Sequence, residues 1–292
     1  MSVSDKFSTF CSNLRMSDST VSTVSSRAKS ITRRINSDFW SSSSENLHSL
    51  FVGSYGRGTA IHISDIDMII ELPYSYYTAY SNHLFNGQSA LLQLVKKSLN
   101  KTYSTTTMRG DGQVIVIDFY DGMRFEVVPA FYIDEGDYKY PDTNNGGTWK
   151  ITKPRKEISS INTWNILTNT NLKRLCRMAR AWKDQWNVPM SGILIDTLAK
   201  NFIVNYEYKE KSYLYYDYMT RDFLFYLSNQ DRYQNYWLAL GSNSYVYRSG
   251  VFEYKAKCSY NIAVEAIRCE VDGYNYSANK KWREIYGTKF PI

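Results

Sequence analysis

The sequence predicts an α/β amino half followed by an all-helical carboxyl half, and three observations carry that expectation. A glycine-rich turn, Gly53 to Gly58, stands between two short apolar runs, LHSLFV and DMIIEL. Two β-branched and aromatic runs, QVIVIDFY and MRFEVVPAF, flank Asp121-Gly122, the strong two-residue hairpin signature. Beyond about residue 160 strand signals vanish, and apolar residues recur at steps of three and four.

Each element follows from its pattern. Residues 17–40 read as one long helix, because Val21, Val24, Ala28, Ile31, Ile35 and Phe39 share a face, with Asp18 or Ser19 as N-cap. SSSS at 41–44 is a loop, LHSLFV a short strand, and DMIIEL a buried strand that Pro73 ends. A helical period resumes over 84–100 through Leu84, Leu91, Leu92, Leu94, Val95 and Leu99. DEGDYKYPDTNNGG (134–147) is polar and turn-rich, a candidate lid or interlobe loop. Residues 172–186, 193–203, 219–240 and 258–272 read as helices, and no internal repeat is present. The expected domains are 1–160, with the long helix bracing both lobes, and 161–292, a helical lobe.

Composition narrows the function. The 292 residues are 43% hydrophobic and 22% charged, which suits a cored globule and excludes disorder for most of the chain. No run approaches the ~18 apolar residues of a membrane span, and the first residues lack a secretory pattern, so a cytoplasmic protein without a membrane role is expected. A net charge of +7 suits a polyanionic ligand, but the basic residues are scattered and form no nucleic-acid arm. Cys11, Cys176, Cys258 and Cys269 stand alone beside only three histidines, which argues against a zinc site or a disulfide framework.

The chemistry concentrates in FVGSYGRGTAIHISDID (51–67). Glycines 53, 56 and 58 allow close backbone approach, so turn amides and the Ser54 hydroxyl can cradle phosphate oxygens. Asp65 and Asp67, two apart on an extended segment, point to one face as a pair of hard ligands for magnesium. A third carboxylate must come from the hairpin, which offers Asp118 and Glu126. A two-residue loop pairs Tyr120 with Met123, Asp118 with Phe125 and Ile117 with Glu126. That register puts Asp118 and Glu126 on opposite faces, and the pattern alone does not choose between them.

The string GSYGRGTAIHISDIDMII, the hairpin ending FEVVPAF, the helix RMARAWK followed by MSG, and the ending ANKKWREIYGTKFP together resemble the bacterial cGAS/DncV-like nucleotidyltransferases (CD-NTases). These belong to the DNA polymerase beta-like nucleotidyltransferase superfamily. The resemblance runs along essentially the whole chain. It implies a two-lobed polymerase beta-like core with a helical carboxyl lobe and the active site in the cleft between them. By the same resemblance Gly53 and Ser54 hold triphosphate, and Asp65, Asp67 and Glu126 hold two Mg²⁺ or Mn²⁺ ions. The choice of Glu126 rests on the family's V-x-P context, where aspartate is more usual. Arg180 falls where relatives place a triphosphate-binding lysine and Ser191 where they place a small polar phosphate ligand. Gly192 stands where some animal relatives carry a base-stacking aromatic.

Charge arithmetic asks for further cations. Three carboxylates and a triphosphate bring roughly −7 and two divalent metals return about +4, leaving roughly three charges for Arg180, Lys183, Lys200 or main-chain amides. The asparagine-rich 162–171 stretch supplies candidates for reading base edges. The implied activity joins two nucleoside triphosphates into a cyclic dinucleotide without a nucleic-acid activator. Its product would be a second messenger of anti-phage (CBASS) defence, read by a separate effector protein. Competing readings are a same-fold transferase acting on RNA, protein or a small molecule, an inactive nucleotide sensor, and a nucleic-acid-activated synthase.

Overall fold

The computed structural model spans residues 1–292 and describes all but residues 63 and 64. The chain forms two compact units. One contains Met16–Arg57 and His62–Lys156, the other Met1–Arg15, Gly58–Ile61 and Glu157–Ile292. The division after residue 156 lies near the expected 160, but the first fifteen residues belong with the carboxyl half. The cause is packing at long sequence separation. Helix α1 (Val3–Asn13) sets the Phe7 ring 5.2 Å from Trp282 and 5.3 Å from Phe290, and Phe10 4.6 Å from Tyr286. Lys6, buried, reaches Glu270 at 3.1 Å.

The first unit is built on a seven-stranded sheet. Helix α2 (Asp18–Phe39) is capped by Ser17, whose hydroxyl accepts the Thr20 amide, rather than by the expected Asp18 or Ser19. Its stripe Val24, Ala28, Ile31 and Ile35 packs into this unit's own core with Leu91, Leu92 and Val95 of α5 (Gly87–Asn100). Between the two lie β1 (Ser49–Phe51), the four-residue helix α3 (Gly53–Gly56), β2 (Asp65–Glu71) and α4 (Tyr74–Ser81). Strands β3 (Thr107–Asp111), β4 (Val114–Asp118) and β5 (Arg124–Tyr132) follow, and the sheet order is β1-β2-β5-β4-β3. The β2–β5 pair is parallel and the other pairs are antiparallel. Ile66 and Met68 of β2 and Phe125 and Val127 of β5 are buried in the core beneath. Strands β6 (Tyr138–Asp142) and β7 (Thr148–Thr152) extend the sheet from β5. The segment 134–147 is therefore not one loop, because Tyr138 and Tyr140 alternate along a paired strand.

Helix α6 (Pro154–Leu167) contains the division between the units. The second unit holds α7 (Asn171–Trp186), α8 (Gly192–Val204), α9 (Tyr216–Ser228), α10 (Glu253–Val271) and α11 (Asn275–Tyr286). It is not wholly helical. A small hairpin, β8 (Tyr236–Leu238) and β9 (Tyr245–Tyr247), replaces the end of the helix expected over 219–240. Trp237 and Val246 are buried while Tyr236, Tyr245 and Tyr247 face out, a period-two pattern too short to stand out in the sequence. Among the described residues no helix is long and apolar enough to cross a membrane.

Candidate active site

The hairpin register differs from expectation by one residue. The Phe119 amide donates to the Met123 carbonyl at 2.9 Å and the Gly122 amide to the Phe119 carbonyl at 3.0 Å, so the loop is the three residues 120–122. Gly122 takes φ +83°, the left-handed residue that a three-residue hairpin needs after its turn. Arg27 grips Asp121 with two hydrogen bonds, at 2.8 and 3.0 Å, and fixes that turn. Asp118 therefore pairs with Arg124, Ile117 with Phe125 and Val116 with Glu126. Since Arg124 and Glu126 are two apart on β5, Asp118 and Glu126 lie on the same face, not on opposite ones.

That face carries two adjacent cross-strand rows. One runs Thr107, Asp118, Arg124, Asp65, and the other Arg109, Val116, Glu126, Asp67. In the first, Arg124 stands between the two acids. It donates to Asp118 at 2.6 Å and lies 3.9 Å from Asp65. Arg109 also pairs with Asp118. Hydrogen bonds from Arg124 and then Arg109 hold the Asp118 carboxyl below its usual range. In the second row Glu126 and Asp67 are register partners. Burial first, then the carboxylates of Glu126 and Asp65, push Asp67 up to about 6, against the pull of Arg57. Burial and Asp65 likewise raise Glu126.

The glycine-rich turn lies against this pair. The Val52 amide donates to the Asp67 carbonyl at 2.9 Å, and Gly53 enters α3 with φ +59°. A Cβ on Gly53 would meet Asp67 Oδ2 at 1.8 Å, so only glycine fits. Ser54 follows as the second residue of α3, and Arg57, largely buried, closes it. Sequence reading overlooked Arg57, although an arginine inside a glycine turn is itself a signal.

The donor chemistry fits a hard divalent cation. Three carboxylates share one face, and two stand side by side at a cost that a cation would relieve. Among the described residues no three His, Cys, Asp or Glu side chains are already gathered closely enough to hold a metal.

The second unit gives Arg180 a buried acidic partner. Its guanidinium is 6% exposed and closes on Asp196 of α8 at 2.6 and 3.0 Å, with further bonds to the Gly192 and Cys176 carbonyls. All of this leaves the fork engaged within the protein. Asp196 also accepts from Thr59 at 3.0 Å, so the pair anchors the Gly58–Ile61 segment. A Cβ on Gly192 would lie 3.2 Å from Arg180 Nη2, so a larger residue there would require the guanidinium to shift. Ser191 caps α8 by accepting the Leu194 amide at 3.3 Å. Lys183 is half-buried in the last turn of α7, and the Lys200 ammonium lies 5.5 Å from the Trp164 ring. The asparagines of 162–171 have structural work: Asn165 accepts the Lys173 amide, while Asn169 and Asn171 donate to carbonyls of residues 209–211.

Comparison with known proteins places this architecture. The chain matches the fold of E. coli MS115-1 CdnC, solved in complex with HORMA-deltaN, at a TM-score of 0.69 and 14% identity, covering 99% of this chain and 98% of that one. A Vibrio cholerae di-nucleotide cyclase (DncV) mutant matches at 0.67 and 14% identity, over 84% of this chain and 70% of that one. A STING-associated CdnE c-di-GMP synthase from Capnocytophaga granulosa matches at 0.66 and 15%, over 90% and 85%. None of the curated proteins matches by sequence. Residues 1–165, which hold the turn and all three carboxylates, match the model of the Second Messenger Oligonucleotide or Dinucleotide Synthetase (SMODS) domain. The chain belongs to the SMODS family.

Proposed function

We propose that this protein is a metal-dependent nucleotidyltransferase that joins two nucleoside triphosphates into a cyclic dinucleotide. The observation that carries the reading is the cross-strand pair Asp67–Glu126, each carboxyl raised by burial and by a neighbouring carboxylate, with Asp65 on the same face and the Gly53 turn against it. Membership of the SMODS family supports the reaction class. Asp65, Asp67 and Glu126 would hold Mg²⁺ or Mn²⁺, two ions as the family resemblance implies. When bound, such ions lower the pKa of an acceptor hydroxyl and neutralise charge developing on the phosphates.

The chain's own residues do the positioning. Turn amides and the Ser54 hydroxyl orient the donor triphosphate, and Arg57 at the end of α3 adds positive charge beside Asp67. The acceptor 3′ oxygen forms a bond to the donor α-phosphorus, pyrophosphate leaves with its bonding pair, and the hydroxyl proton passes to solvent. A second displacement within the linear intermediate closes the ring and releases a second pyrophosphate. Arg180, Lys183 and Ser191 are the nucleotide-binding candidates of the helical unit, Arg180 with its guanidinium also held by Asp196.

The product would serve as a second messenger in anti-phage (CBASS) defence, acting in the cytoplasm and read by a separate effector, without a nucleic-acid activator. Incubation of the pure protein with the four labelled ribonucleotides and Mg²⁺ or Mn²⁺, then phosphatase, tests this. A phosphatase-resistant product formed without nucleic acid is expected. A linear oligomer as sole product refutes cyclisation, and transfer only to an added acceptor refutes the synthase.

A further inference from the structure

The helical unit contains a recess of about 260 Å³ where the end of α1 meets α7. Arg15, Lys173, Arg174 and Arg177 all line it, and no carboxylate does. Neutral groups hold three of these cations in place. Lys173 Nζ donates to Asn162 Oδ1 at 2.6 Å, and Arg177 donates to the Gly58 carbonyl at 2.8 Å. Arg174 lies 4.7 Å over the Tyr213 ring and donates to the Tyr216 hydroxyl at 3.3 Å.

Cations withdrawn from water are ordinarily paired with acids, because desolvation penalises the charged form; Lys173, Arg174 and Arg177 are half-buried and Arg15 is exposed. Here they press on one another. Burial and then Arg177 push Lys173 below its usual range, and burial, Arg15 and Arg174 do the same to Arg177. An anion entering the recess would relieve both costs. Planar guanidinium forks match the oxygens of a phosphoryl group, and the volume accommodates a few such groups but no duplex.

The recess also adjoins a segment of consequence. Arg177 holds the Gly58 carbonyl, and a Cβ on Gly58 would lie 3.0 Å from Lys173 Nζ. An occupant competing for these two cations alters their hold on Gly58–Ile61, the stretch of chain shortly before Asp65 and Asp67.

We propose that this recess, lined by the helical unit alone, binds a small oligophosphate, either free or as the phosphate tail of a nucleotide, and that occupancy changes synthase activity through the Gly58–Ile61 segment. The activity half rests on the proposed function; the binding half does not.

The test is calorimetric titration of the full chain with inorganic tripolyphosphate in a chelator, so that no metal is bound. Wild type should bind one equivalent. Removing two charge-assisted contacts in the double variant Arg15→Gln/Lys173→Gln should weaken binding by about a hundredfold. Asp67→Asn should bind as wild type does. The double variant should melt no lower than wild type, since it relieves repulsion, and Arg15→Gln alone gives a milder version. ADP in the same buffer separates the sources: tighter binding than tripolyphosphate points to a nucleotide tail, equal or weaker binding to the free anion. In turnover assays tripolyphosphate should change the rate of wild type and not that of the double variant. Equal binding by wild type and the double variant overturns the proposal. So does a raised nucleotide KM in the double variant without added anion, which would make the recess part of the substrate site. Duplex RNA that binds wild type and is not displaced by tripolyphosphate also overturns it. Loss of all synthase activity would remove the proposed function while leaving the binding isotherms to stand or fall alone.

Discussion

A Cβ added to Gly53 would lie 1.8 Å from Oδ2 of Asp67, so the turn and the acidic strand meet with no room for a side chain. Gly53→Ala must displace either the turn or the carboxylate, and φ +59° adds backbone strain. A fall in cyclic product formation of about a hundredfold or more is expected. Gly122→Ala is the control, since it has φ +83° but no neighbour within 4 Å. It should lose about 1 kcal/mol of stability and keep most activity.

Glu126→Gln should be as inactive as Asp67→Asn, at least about a hundredfold below wild type, because each removes a charged ligand and keeps its size. Asp118→Asn should retain most activity despite sharing the face, because Arg109 and Arg124 already occupy its carboxylate. Turnover at saturating nucleotide and metal decides. A dead Asp118→Asn beside an active Glu126→Gln would move the third ligand to Asp118.

Arg180→Ala should act on stability before it acts on nucleotide affinity. It strands the buried Asp196 carboxylate, a change worth about 3–5 kcal/mol, whereas Thr59→Val removes one hydrogen bond, about 1 kcal/mol. Thermal melting gives the order. An Arg180→Ala protein with unchanged melting and a raised nucleotide KM would favour the phosphate-ligand role.

Burial, helped by Glu270 and opposed by the Tyr218 amide, raises Asp217 to about 6 from 3.8. A carboxyl raised on folding contributes stability that is full below about pH 4 and lost as pH rises through about 6, of order 2–3 kcal/mol in all. Asp217→Asn keeps an acceptor for the Tyr218 amide and removes the charge. It should be more stable than wild type at pH 7.5, with the advantage gone near pH 4. Denaturant midpoints at the two pH values measure this, and a constant difference would mean the carboxyl titrates normally.

Local pattern made much of the fold legible. The apolar stripe of α2, the buried strand after Asp65 and the amphipathic α7 each need only neighbours three, four or two residues away. The hairpin was legible as a hairpin but not in register, because Asp-Gly serves a two-residue loop and a three-residue one alike. The contact that selects between them, Arg27 on Asp121, comes from a helix 94 residues earlier. The β8–β9 hairpin was hidden by brevity, and α1's place in the helical unit by a separation of some 270 residues from Trp282.

The sequence by itself determined the chemistry at the turn: GS, glycines at the tight positions, and Asp65 and Asp67 sharing a face through strand alternation. Tertiary structure decided which charges are engaged and which are not. Asp118 is held in ion pairs by Arg109 and Arg124, whereas Glu126 has the Asp67 carboxylate as its register partner. Arg180 and Arg177, three residues apart on one helix, part company because Asp196 reaches only the first. A charge's role depends on its partners, and those partners are brought together by the fold from positions that no local spacing connects.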